Sequence, residues 1–134
     1  MGKGGFMQPA GRTVKLPDAN HPITLAMTGV HVIVKSGGRI IADTRRAVTF
    51  TESKYSSVQY IPREDVDMSL LEPTEHRSYC PYKGEASYFS IRDVGERGIN
   101  AVWSYLGAYP AVAQIDGCLA FYPDRVDSIE VLED

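Results

Sequence analysis

The stretch from Val30 to Thr44 reads VHVIVK, then SGG, then RIIADT. Alternation of apolar and polar side chains with period two, on β-branched residues, specifies a strand with one buried face. The glycine pair between the runs supplies the turn that folds one strand back on the other. This hairpin constrains the rest of the chain, because a strand pair in water needs further strands or a packed face to be stable.

More strands follow. AVTFTES (Ala47–Ser53) and SVQYI (Ser57–Ile61) alternate in period two and form a second pair. EASYFSI (Glu85–Ile91) and INAVWSYL (Ile99–Leu106) follow, joined through Gly95 and Gly98, and CLAFY and SIEVL close the chain. Helical signals are brief. Arg63–Leu71 follows Pro62 and carries acids in its first turn, which fits a short helix or 3₁₀ turn. Tyr109–Gly117 has Pro near its start and Gly at its end, fitting one short helix. The expectation is an antiparallel, mainly β domain. Residues 1–20, rich in Gly, Pro and polar types, read as a loosely held arm, and residues 21–134 as a single domain.

Composition excludes some function classes. A net charge of −3 spread along 134 residues gives no footprint for nucleic acid. No apolar run approaches the roughly 18 residues of a membrane span, and the start lacks a signal-peptide core. A soluble cytoplasmic protein with reduced thiols is the expectation.

Chemical motifs are sparse. Cys80, Cys118, His21, His31 and His76 lack the paired spacing of a zinc site, so no metal and no cofactor is called. The glycines near the start and in SGG lack phosphate-loop spacing. Asp65 and Asp67 in DVDM would share a face on a strand and could hold Mg²⁺, but the segment reads as helical, where residues two apart diverge. Cys80 stands near Lys83, a cation that could lower its pKa, although a free cysteine more often packs as a small hydrophobe. Arg63 follows Pro62 and Lys83 precedes Gly84, so each charge sits beside a residue that fixes the backbone. They could clamp a carboxylate or phosphate, or pair with Asp65 and Glu64 at the surface. Trp103 and Tyr105 lie two apart and share a strand face, with Tyr60, Tyr79, Tyr82, Tyr88 and Tyr122 in neighbouring segments. Such rings suit a pocket wall.

The motifs YIPREDV, CPYKG, WSY and AFYPDRV, in this order, resemble a bacterial family catalogued as domain of unknown function four-two-seven, over about His21 to Val131. The resemblance implies a β-tent-like fold, two antiparallel sheets meeting at an angle with one or two short helices, shared with methionine sulfoxide reductases and the thalidomide-binding domain of cereblon. Many such relatives hold zinc between cysteine pairs, which this chain lacks. The family also carries a nucleotidyltransferase-like label. Its signature falls here on Tyr60, Pro62, Arg63, Asp65, Cys80, Pro81, Lys83, Gly84, Trp103, Tyr105, Phe121 and Tyr122.

The expected site is a pocket between the sheets. Arg63 and Lys83 would supply charge, Asp65 would orient a cation, and Cys80 would pack at the base. Tyr60, Trp103, Tyr105 and Tyr122 would form the walls. Its ligand would be a small anionic and planar molecule. Two alternatives stand beside this: an enzyme using Cys80 or Asp65 with Lys83 for acyl- or nucleotidyl-transfer-like chemistry, and a protein-interaction module, for which a homodimer is compatible. No nucleic-acid or membrane partner is expected.

Overall fold

The computed structural model describes residues 5–7 and 12–133. The first hairpin forms as its pattern requires. Strands β4 (His31–Ser36) and β5 (Arg39–Thr44) pair antiparallel, joined by Gly37 and Gly38 at φ 62° and 74°. A two-residue connection with both φ positive matches the right-handed twist of the strands it joins, and glycine adopts it without strain. Strand β12 (Ser128–Leu132) completes this sheet by pairing with β4, Ile129 opposite Val34.

A second sheet contains β3 (Ile23–Ala26), β6 (Val48–Glu52) and β7 (Val58–Tyr60). A third runs in the order β11 (Leu119–Phe121), β10 (Val102–Tyr105), β9 (Gly84–Ile91), β8 (Leu71–Cys80). Ile61 and Leu119 exchange both backbone hydrogen bonds at 2.8 Å and so tie the second sheet to the third. A small ribbon of β1 (Gly5–Met7) and β2 (Thr13–Lys15) lies near the start. The mainly antiparallel β architecture expected from the strand patterns is the one observed.

The sheet that ends in β8 is covered on both faces. Val102 and Phe121 join Val32, Val34, Ile41 and Leu119 in one core cluster, while Tyr105 and Ala120 join Phe50, Tyr60 and Ile115 in another. Double coverage explains why LAF in β11 is buried at every position instead of alternating. Each fully buried side chain of this size contributes about 1.5–3 kcal/mol by leaving water.

Helical structure is as brief as expected. Among the described residues there is no α-helix, only 3₁₀ segments. The expected helix at Tyr109–Gly117 is a 3₁₀ segment, Pro110–Ile115, kinked at Val112, whose φ is −129°. Val112 and Ile115 are wholly buried, so tertiary packing sets the path where six residues are too few to sustain a helix alone. Arg63–Leu71 becomes two 3₁₀ turns, Arg63–Asp65 and Met68–Leu70, separated at Val66, which bridges to Ala42 of β5.

Of the expected arm, residues 1–4 and 8–11 lie outside the described residues. Val14 is buried, the Lys15 amide donates to the Pro81 carbonyl at 2.9 Å, and Tyr79 Oη donates to the Thr13 carbonyl at 2.6 Å. No helix among the described residues is long and apolar enough to cross a membrane.

Candidate ligand-binding site

Period two along β6 puts Phe50 and Glu52 on one face, and the turn after β8 delivers Lys83 to that face. Gly84, at φ 117°, closes the turn in a conformation that favours glycine. The Lys83 ammonium lies 3.0 Å from Glu52 Oε1, 5.0 Å from the Phe50 ring centre and 5.7 Å from that of Tyr105. Glu52 Oε2 meets His21 Nε2 at 2.7 Å, and the His21 ring stacks on Tyr82 at 4.1 Å. The Lys83 and Glu52 side chains are only 13% and 15% exposed, so this pair is largely withdrawn from water.

Burial pushes the Glu52 carboxyl up, but hydrogen bonds from His21 and Lys83 and the Lys83 charge outweigh it, and its pKa lies below the ordinary value. The unfolded chain therefore takes up a proton at this group before the folded chain does. The stability from Glu52 is complete above the unfolded carboxylate pKa and is lost as pH falls through the lower folded value. Denaturant midpoints measured downward from pH 6 are expected to decline below about pH 4–5. Glu52→Gln should flatten that decline, and an unchanged acid slope in the variant would refute the assignment.

Aromatic side chains continue from this pair. Trp103 Nε1 donates to Tyr60 Oη at 3.2 Å, Tyr60 meets Phe50 edge-on at 5.5 Å, and Trp103 leans on Tyr122 at 4.5 Å. Burial pushes the Tyr60 and Tyr105 phenols up, so both stay neutral. Cys80 packs against the same cluster. Tyr60, Cys80, Lys83, Trp103, Tyr105 and Tyr122 are thus brought together.

Arg63 and Asp65 are not. The pairing of β9 with β10 places Phe89 and Ser104 on the face opposite Trp103 and Tyr105. Arg63 Nη2 donates to Ser104 Oγ at 3.4 Å, and its guanidinium lies 5.7 Å from the Phe89 ring centre. The sheet therefore stands between Arg63 and Lys83. Asp65 is held against β5, where Thr44 Oγ1 donates to it at 2.6 Å and Arg46 reaches both carboxylate oxygens at 3.1 and 3.2 Å. The Arg46 and Thr44 hydrogen bonds hold its carboxyl below the ordinary range. Asp65 orients neither Lys83 nor Arg63, because the Val66–Ala42 bridge carries it to β5.

Both cysteines are free thiols. Burial pushes the Cys118 thiol up. His76 packs on Tyr88 at 4.4 Å between ring centres. No group of three or more His, Cys, Asp or Glu side chains among the described residues could hold a metal ion.

Trp103 also lines a cleft of about 410 Å³, together with residues of β4, β7, β11 and β12. Val34, Val58, Ile61, Phe121, Ile129 and Val131 supply its apolar lining, and Ser57 and Gln59 its polar groups.

The family model described as Domain of unknown function (DUF427) matches residues 24–132. The chain belongs to this family. No curated protein matches it. The DUF427 match takes in the lining of the cleft as well as Glu52 and Lys83, whereas His21 precedes it. Within the DUF427 domain, sequence reasoning found Trp103 but missed Gln59, Ile129 and Val131, which converge only through the pairing of distant strands.

Proposed function

We propose that this DUF427 domain binds a small molecule with a planar, apolar body and one hydrogen-bond acceptor group in the Trp103 cleft. The observation that carries this reading is the cleft itself, a largely apolar hollow with two convergent polar residues, the usual make-up of a small-molecule site. The ligand's flat part lies against Trp103. Gln59 accepts from Thr49 at 2.9 Å through its carbonyl, so its amide NH₂ is the donor offered to a carboxylate or carbonyl on the ligand. Lys83 is already matched by Glu52, and Arg63 lies behind the sheet. Recognition of an anionic group therefore falls to the Gln59 amide, beside the Ser57 hydroxyl that shares a hydrogen bond with Thr51 Oγ1 at 2.8 Å.

Trp103 is the only tryptophan in the chain, so its emission reports on this cleft. A panel of aromatic acids and amides, including benzoate and indole-3-acetate, should contain compounds that both shift this emission and raise thermal stability. The gain is about 2.7 kcal/mol at one hundred times the dissociation constant. Val131, 45% exposed at the cleft, gives the control. Val131→Arg should abolish both signals while changing stability by about 0.5 kcal/mol or less. Signals that persist in the variant, or a panel that moves neither readout, would defeat the reading.

A further inference from the structure

A larger hollow, of about 590 Å³, adjoins the first, with Tyr122 lining this one and Pro123 the other. Its lips are the 3₁₀ turns Gly95–Gly98 and Pro123–Arg125, which two arginines tie together. Arg97 donates to the carbonyl of Val126, and Arg125 Nη1 faces the carbonyls of Glu96, Arg97 and Ile99 at 3.4–3.5 Å. The rim is thus held in place before any ligand arrives, which lowers the ordering cost of binding.

The floor is aromatic. Tyr88 is buried with the exposed His76 ring against it, and Tyr122 is half-exposed. Burial and a hydrogen bond with Tyr88 push the Tyr122 phenol up to about 12, so it stays a neutral donor and acceptor. Asn100 takes φ 53°, and its side chain is pinned, with Oδ1 accepting from Thr74 at 2.7 Å. Its backbone N–H is bonded to Ser90 Oγ at 3.0 Å, so the amide NH₂ is the donor left for the hollow.

We infer that this hollow binds an uncharged, polyhydroxylated ring, a saccharide. The charges select it. Glu96 and Asp124 stand on the same rim as Arg125, so an anion would meet two carboxylates and a cation would meet a guanidinium. Vicinal hydroxyls suit both signs, because each can donate to a carboxylate and accept from Arg125 or Asn100. The C–H face of such a ring fits the negative face of Tyr122, and burying it there removes apolar surface from water.

The test is an NMR titration of the isotope-labelled protein with methyl glucoside, methyl galactoside, methyl mannoside, maltose and cellobiose. Glycine, putrescine and citrate serve as charged comparisons. At least one saccharide should produce saturable shifts in the Asn100 side-chain amide and in the backbone amides of Glu96 and Arg125. Val131→Arg should leave these shifts intact, which separates this site from the Trp103 cleft. Glu96 and Asp124 are exposed, so Glu96→Gln and Asp124→Asn should fold normally while each weakens binding about fivefold or more, as loss of a charge-assisted hydrogen bond requires. The inference is overturned if no saccharide moves these signals, if only the charged compounds do, or if both variants bind like the wild type.

Discussion

Lys83→Met is expected to lower unfolding free energy by about 2–3 kcal/mol, measured as a shift of the urea midpoint. Methionine keeps the length and apolar stem of lysine but removes the ammonium from Glu52, 3.0 Å away. Removing one partner of a buried ion pair costs about 3–5 kcal/mol, because the other charge is left without compensation. The 13–15% exposure of the two side chains, and the His21 contact that Glu52 keeps, place the expected loss at or below the lower end of that range. The double variant Lys83→Met/Glu52→Gln should recover much of the loss, since it leaves no charge stranded. A thermodynamic cycle over the four proteins would then return a favourable coupling. Additive single effects, or a Lys83→Met protein as stable as the wild type, would mean that the pair contributes nothing beyond its surface counterparts.

Gly98→Ala is expected to be as damaging, by a different cause. A Cβ at this position would fall 2.6 Å from the Ile91 carbonyl oxygen and 3.2 Å from Ile91 Cβ, and would overlap Val94 Cγ2. A side-chain tip could swing aside, but the Ile91 carbonyl belongs to the end of β9 and can move only with the backbone. Overpacking of this kind costs typically about 1–3 kcal/mol and more where backbone must shift. We expect a loss of about 3 kcal/mol. The same displacement would move Glu96 and Arg97, so saccharide-dependent shifts at Glu96 should vanish as well. Glu96→Ala, on the exposed side of the turn, should stay within about 0.5 kcal/mol of the wild type. A Gly98→Ala protein with an unaltered midpoint and unaltered Glu96 signals would show that the turn gives way more easily than its contacts imply.

Some of this was readable from residue order alone. Period two put Trp103 and Tyr105 on one face and Ser104 on the other, and that division holds. The same rule applied to VTFTE sets Glu52 beside Phe50, and a carboxylate on a buried face is a signal for a buried partner that the sequence reading passed over. Strand β8 was not readable. LEPTEHRSYC carries a proline, two glutamates, a histidine and an arginine and shows no alternation, because it lies at the end of its sheet, where only one side needs pairing and Pro is tolerated. Its register with β9 also slips between Pro73 and Arg77. The separation of Arg63 from Lys83 depends on which side of the sheet a 3₁₀ turn passes, a matter of path that spacing along the chain does not encode. Cleft-lining Ile129 and Val131 sit in a strand whose partner is nearly a hundred positions away.

That last pairing bears on how the protein matures. Val34 leaves the ribosome nearly a hundred residues before the strand that covers its edge. A translating chain must hold an apolar hairpin uncapped over that interval, and contacts this distant in sequence also slow folding. A nascent chain halted short of Ser128 would be a natural client for a chaperone.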